Sequence, residues 1–287
     1  MFLLALSFAA AARAGVPIDP GDAIALPPGS TVVAGYYQFI TADGYQLDLP
    51  GAGLITAQTH LNEQLGIFRL IRYASLGGVE IAPQLILPYG SLYGGAIGGV
   101  PLPGATGFAD PILGLTEWLV NDHRHRRYVT ATEYLTLPAG SYEPGRTLNL
   151  GANRWVGDFQ LGYHQGLGPR VALGFALDAT FYGDNSRAGD GRQTLTEAPS
   201  YEAQSWLEFR FSRAFLTALG YAQTFGGRQK LAGVYTGQET YEGTLRIGVQ
   251  QYLSRHFQIE AIASHDVVVL GGFRDNFAMQ IRIIAAF

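Results

Sequence analysis

Residues 275–287, DNFAMQIRIIAAF, decide how the rest of the chain is read. Phe277, Met279, Ile281, Ile283, Ala285 and Phe287 fall on one side of an extended backbone. Ala278, Gln280, Arg282, Ile284 and Ala286 fall on the other. A period of two is the mark of a strand, because successive side chains point to opposite faces. One face is continuously apolar and the other carries an amide and a guanidinium. In a soluble sandwich the apolar face would meet a second sheet; in a membrane barrel it would meet lipid.

Composition separates these two. Of 287 residues, 47% are hydrophobic and only 15% are charged, where soluble proteins carry about a quarter charged residues. No apolar run reaches the roughly 20 residues that a spanning helix needs. Only helices and closed barrels satisfy every backbone polar group in lipid, so a membrane protein without such runs must be a barrel. There is no cysteine, which excludes disulfides and thiolate metal sites. The 38 glycines, 16 tyrosines and 16 phenylalanines suit many strands with aromatic girdles. A net charge of −4 gives no electrostatic case for nucleic acid.

Taken in order, residues 1–14 (MFLLALSFAAAARA) read as the apolar and cleavage parts of a secretory signal, closing on Ala12-Arg13-Ala14, with a charged start missing. Residues 15–30 are punctuated by proline and glycine and read as a periplasmic lead-in, a linker in preference to a plug, because so short a segment fills little of a lumen. From residue 31 to 287 the pattern predicts twelve strands: 31–41, 62–74, 78–88, 109–120, 128–138, 150–165, 170–183, 201–211, 214–224, 239–253, 257–267 and 275–287. Tight connections such as 166–169 and 254–256 alternate with long ones such as 89–108, 139–149 and 268–274. That alternation predicts an all-β, antiparallel, up-and-down transmembrane barrel with short periplasmic turns and long extracellular loops, in the bacterial outer membrane.

Alternation within strands assigns the lumen. In 201–211, Glu202, Gln204, Trp206, Glu208 and Arg210 oppose Tyr201, Ala203, Leu207 and Phe209; in 239–253, Arg246 and Gln250 oppose Leu245, Ile247 and Val249. Arginine or lysine on the lipid side costs about 2–4 kcal/mol at the midplane, so the charged face looks inward. The expected lumen-lining residues are Arg154, Asp158, Asp178, Glu202, Glu208, Arg210, Arg246, Gln250, Glu260 and Arg282. Inward Trp206 and Tyr182 narrow the path. Counting back from a turn near Gly271 sets Glu260 opposite Arg282, with Gln250 beside Glu260. The facing of 62–74 and 128–138 stays open, because both phases carry polar residues.

The stretches Leu87-Pro88-Tyr89-Gly90, Gly107-Phe108-Ala109-Asp110-Pro111, Leu137-Pro138-Ala139-Gly140-Ser141-Tyr142 and Asn149-Leu150-Gly151-Ala152-Asn153-Arg154-Trp155 resemble the marks of the outer-membrane transporters of the meta-pathway of phenol degradation. The resemblance covers roughly residues 31–287, and the LPAGSY and NLGANRW blocks are its most specific part. It implies passive uptake of small, aromatic or otherwise weakly polar compounds. The strand ending on Phe287 likewise resembles the C-terminal signal that the outer-membrane assembly machinery recognises. By position, the family marks sit at strand–loop junctions, where proline ends a ladder and glycine turns the chain. The glycine-rich 89–108 loop is the expected gate; no helix follows its glycine pairs, so it is no phosphate cradle.

Two other classes compete. A general or oligosaccharide-type diffusion porin would have the same size and an unobstructed charged channel. An outer-membrane hydrolase needs a serine activated by a histidine. Ser264-His265-Asp266 are consecutive, and on a strand the middle residue points away from its neighbours, so they form no triad among themselves. His123-x-His125 is crowded by Arg124, Arg126 and Arg127 and reads as a solvated turn rather than a metal site. The partners expected are lipid, a small solute and the assembly machinery, with no catalytic residue, metal, cofactor or nucleic acid.

Overall fold

The computed structural model describes residues 8–9, 16–190 and 192–287. Twelve strands carry the architecture: β1 (Thr31–Gln46), β2 (His60–Arg72), β3 (Val79–Ile97), β4 (Ile112–Asp122), β5 (Arg127–Thr136), β6 (Val156–Gly166), β7 (Val171–Tyr182), β8 (Ser200–Arg210), β9 (Phe215–Gly226), β10 (Thr240–Tyr252), β11 (Phe257–Leu270) and β12 (Gly272–Ala286). Each pairs antiparallel with the next, and β12 returns to β1 in a register from Val32 opposite Ala286 to Gln46 opposite Gly272. The sheet therefore has no open edge, which removes the unpaired N–H and C=O groups that lipid cannot satisfy.

The terminal strand follows its alternation. Phe277, Met279 and Ile283 are exposed outward, while Arg282 is buried inside. The same holds round the wall: Phe159, Leu161, Leu177, Tyr201, Leu245 and Ile247 all stand on the outer face. An apolar outer surface of this extent marks a membrane contact. The two strands whose phase stayed open are resolved by their neighbours. In β2, Glu63, Leu65 and Arg69 turn inward and Phe68 and Leu70 outward; in β5, Tyr128, Thr130, Thr132 and Tyr134 turn inward. Glu133 breaks the rule of inward charge, standing exposed beside Phe159 on the outer face.

Four expectations change. The 89–108 stretch is not a loose loop: β3 continues to Ile97, and Val100–Leu102 and Ala105–Phe108 fold back onto it. Its apolar residues Leu92, Leu102 and Ala105 pack with Leu148 and Leu150, so they stiffen a wall instead of covering a mouth. The predicted strand 150–165 begins only at Val156, because the residues before it turn into the lumen. The predicted long connection 268–274 shrinks to Gly271 alone. Its φ of +77° favours glycine, and a Cβ there would lie 2.1 Å from the Glu239 carbonyl oxygen. Two other long loops pair with each other through Asn185–Ala188, Gln193–Glu197, Gln229–Leu231 and Val234–Tyr235, a small sheet above the barrel.

The fourth change concerns the lead-in. Residues 16–26 do not trail away as a linker but run inside the barrel at its short-turn end, as the contacts below establish, and exposed residues 27–29 lead out toward β1. Apart from Phe8–Ala9, which pairs in parallel with Leu148–Asn149, the 1–14 signal segment lies outside the described residues.

Candidate functional site

Among the described residues, the lumen divides into a half filled by the N-terminal segment and a half that holds a cavity, the hollow half. The filled half holds residues 16–26, whose backbone polar groups are met by wall side chains. Gln160 donates to the Val16 carbonyl (2.8 Å), Trp206 Nε1 to that of Ile18 (2.9 Å), Gln250 to that of Pro20 (2.6 Å) and Trp118 Nε1 to that of Ala23 (2.9 Å). The Ile18 and Gly21 amides donate to Gln204 and Glu208, both at 3.1 Å. A buried backbone without partners would be costly, and here the wall supplies them. Ala23, Ile24, Ala25 and Leu26 complete the seal by packing on Tyr73, Ala82, Trp118 and Tyr128.

Charge fixes the same segment. Arg282 lies opposite Glu260 as the register count requires, with Nε 2.9 Å from Oε1. It also reaches Asp19 at 3.0 Å and Asp22 at 2.8 Å. Gln250, opposite Glu260 on the next strand, hydrogen-bonds that carboxylate as well. The cross-strand pair of the terminal strand is thus one part of a cluster whose other carboxylates come from the N-terminal segment.

The hollow half, toward the long loops, encloses a cavity of about 310 Å³. Its aliphatic side includes Ile40, Leu61, Leu92 and Leu148; its polar side includes Arg154, Tyr182, Glu202 and Arg246, and Asp19 and Pro17 form the floor. Arg154, only 4% exposed, pairs with Glu197 and lies over the Tyr182 ring at 4.7 Å. Arg246 lies over the Trp206 ring at 4.6 Å and donates to Gln204 at 3.2 Å. Both cations therefore lie over aromatic faces.

One loop shapes this cavity. Residues 137–155 fold inward because Asp110 holds both ends: Oδ1 accepts the Gly140 amide and Oδ2 the Ala152 amide, each at 2.7 Å. Gly140 presses so closely on the Asp110 backbone that a Cβ would lie 2.6–2.7 Å from Ala109 C and Asp110 N. Burial raises the Asp110 carboxyl above its ordinary pKa, against the lowering pull of the N–H donors. The Ala109-Asp110-Pro111, LPAGSY and NLGANRW marks thus meet in one knot. They act through loop geometry, and through Tyr142, Leu148 and Arg154 they also line the cavity.

The structure distributes the expected lumen residues over different levels of the barrel. Arg154, Glu202 and Arg246 reach the cavity. Asp158 accepts Thr180 at 3.0 Å, and Asp178 accepts Gln160 at 2.7 Å and Gln204 at 3.1 Å, within the wall. Glu208, Gln250 and Arg282 bind the N-terminal segment, Glu260 bonds Gln250 and Arg282, and Arg210 is half-buried at the short-turn rim. Sequence reasoning missed Arg69, which donates to Gln84 (2.8 Å) and Tyr36 (3.3 Å), because its strand carries polar residues in both phases. It also missed Asp19, Asp22 and Glu197, which lie outside the twelve wall strands. Of the other candidates, His265 is exposed outward while Asp266 is buried inward. His123 bonds Tyr128 at 3.0 Å and His125 bonds Asp122 at 2.6 Å, so the two imidazoles have separate partners.

A closed, twelve-stranded barrel, apolar outside and polar within, with an internal cavity, defines an outer-membrane channel, and its place is the bacterial outer membrane. Comparison narrows the class. The family model described as "Putative MetA-pathway of phenol degradation" matches residues 45–273, and the chain belongs to that family. The crystal structure of the COG4313 outer membrane channel from Pseudomonas putida F1 is similar, with a TM-score of 0.89 and 28% identity over 94% of this chain and 100% of that one. A deletion mutant of the TodX monoaromatic hydrocarbon channel (TM-score 0.51, 11% identity, 91% and 90% covered) and the β domain of the Bordetella autotransporter BrkA (0.52, 11%, 90% and 100%) share the fold alone. No curated protein matches the chain by sequence.

Proposed function

We propose that the chain passes small, aromatic or otherwise weakly polar compounds across the outer membrane by diffusion, without catalysis. The observation that carries this reading is the cavity, where aliphatic residues from β1, β2 and β3 face the rings of Tyr142, Tyr182 and Trp206. A pocket with an apolar wall and a few placed polar groups suits a compact ring better than a hydrated sugar. The family's description, which concerns phenol degradation, supports the same substrate class. The path runs from the long-loop mouth past Arg154, Glu202 and Arg246 and then meets the N-terminal segment, whose displacement opens it. The exposure of Phe287, the residue after β12, supports a contact with the assembly machinery there.

Liposome swelling with size-matched aromatic and sugar solutes tests the reading. Faster swelling with the aromatic solute is expected. Equal rates would reduce the protein to a general diffusion pore.

A further inference from the structure

We propose that the short-turn rim is a docking surface for anionic phospholipids of the periplasmic leaflet, whose phosphates its exposed arginines hold. The chain as a whole carries a net charge of −4, so a basic patch is not a general property of its surface. The five short turns with their flanking strand ends are residues 72–79, 122–127, 166–171, 210–215 and 252–257. Together they hold eight arginines and a single carboxylate, Asp122. That carboxylate is taken by His125 at 2.6 Å, with Arg127 at 3.9 Å. Glu80, one residue inside β3, is bonded by Asn121.

The long-loop end is built differently. There Arg146 pairs with Glu143 at 2.8 Å, Arg228 with Glu239 at 3.5 Å and Arg274 with Asp43 at 2.6 Å. In the loop before β8, Asp184, Asp190 and Glu197 alternate along the chain with Arg187 and Arg192. At the short-turn rim, by contrast, Arg124, Arg170, Arg213 and Arg255 are exposed and have no carboxylate partner among the described residues. One stands in each of four successive turns, two strands apart, or about 10 Å along the rim. A row of cations of this kind raises the local concentration of anions.

Depth decides which anion they meet. Leu167 precedes Arg170, Phe211 and Phe215 bracket Arg213, and Leu253 and Phe257 bracket Arg255; all five apolar side chains are exposed. The Phe211 and Phe215 rings lie 5.9 Å apart. Rings and aliphatic chains exposed at the end of a membrane barrel lie where acyl chains give way to headgroups. The guanidiniums beside them therefore stand in the layer that holds lipid phosphates. An arginine stays charged and can bond one phosphate through two N–H groups at once. A zwitterionic headgroup brings its own ammonium to that phosphate, whereas phosphatidylglycerol brings none. Unpaired arginines thus favour the anionic lipid.

The test uses the full-chain protein reconstituted in phosphatidylcholine bilayers with a trace of spin-labelled phosphatidylglycerol or spin-labelled phosphatidylcholine. Electron spin resonance reads the fraction of each label immobilised at the barrel. Each arginine near the surface attracts an anionic lipid by about fivefold, and only part of the lipid shell touches these turns. An average enrichment of phosphatidylglycerol of at least about twofold is expected, falling toward parity in about 1 M salt, where screening acts within about 3 Å. Parity is also expected when Arg124→Gln, Arg170→Gln, Arg213→Gln and Arg255→Gln are combined. Equal immobilisation of the two labels by the wild type overturns the proposal and leaves the rim to a soluble periplasmic anion. A preference that survives the combined variant overturns it too, by placing the anionic lipid elsewhere on the barrel. Should that variant fail to fold, judged by loss of heat-modifiable migration, the pair Arg213→Gln and Arg255→Gln decides: about half of the preference should go, and an unchanged preference refutes the assignment.

Discussion

The two halves of the lumen are built on opposite terms. At the short-turn end, the carbonyls of Val16, Ile18, Pro20 and Ala23 each receive a donor from the wall, and Arg282 gathers Glu260, Asp19 and Asp22 around one guanidinium. Toward the long loops, the same barrel holds a cavity that Glu202 and Arg246 line together. Both halves use inward polar residues at the same period of two. What differs is how much of the described N-terminal chain pairs with the wall: residues 16–26 fill the short-turn half, whereas beside the cavity only Phe8–Ala9, among the described residues, pairs with the lining, at Leu148–Asn149. In the first half polar residues act as a lock; in the second they face space that a solute can occupy.

The largest test of this contrast removes the lock. Deleting residues 16–26 should raise single-channel conductance severalfold in planar bilayers, because the filled half becomes hollow as well. Unchanged conductance would show that the seal lies elsewhere, in the 137–155 loop. Arg282→Ala is next. It leaves three carboxylates clustered without their cation, and breaking a buried pair in this way costs about 3–5 kcal/mol, readable as a lowered urea midpoint for unfolding from detergent.

A smaller effect is expected from Asp110→Ala, which frees the Gly140 and Ala152 amides. Losing the acceptor for buried donors costs about 1–3 kcal/mol, and faster hydrogen exchange confined to residues 137–155 would report it. Exchange spreading over the whole barrel would mean that the knot supports the wall and not only the loop. The same residue gives a pH dependence. Its folded pKa is raised by burial, so its contribution is fully present below the ordinary carboxylate value and is lost as pH rises through the raised one. Wild type should therefore lose stability relative to Asp110→Asn as pH climbs from acid toward neutral, measured by paired thermal melts. The smallest change is expected from Glu202→Gln. Removing a carboxylate whose burial Arg246 only partly offsets should leave the melting temperature level or slightly higher, whereas a clear drop would show that the cavity half is locked by charge as the short-turn half is.

How much of this was legible in the sequence depends on which atoms decide it. The opposition of Glu260, Arg282 and Gln250 could be counted from the terminal strands, because an antiparallel ladder with a known turn leaves one register. The inward facing of Glu202, Arg246 and Arg282 followed from the cost of charge against lipid. That cost fails as a guide where both phases are mixed: β2 holds Gln64 outward and Arg69 inward, and β5 holds Glu133 outward. The Asp110 knot was visible only as separate marks around residues 109, 140 and 151. Nothing along the chain says that one carboxylate receives amides from 30 and 42 residues away.

The sequence alone determined the closed sheet, its strand number, its two rims and its polar interior, since each follows from local periodicity, turn chemistry and the solvation of single side chains. The tertiary structure decided what fills that interior. Residues 15–30 carry no period, and the place of residues 16–26 inside the barrel comes from wall donors on five strands that meet only once the ring is shut. The cavity likewise exists because a loop pinned by Asp110 and a plug pinned by Arg282 stop short of each other.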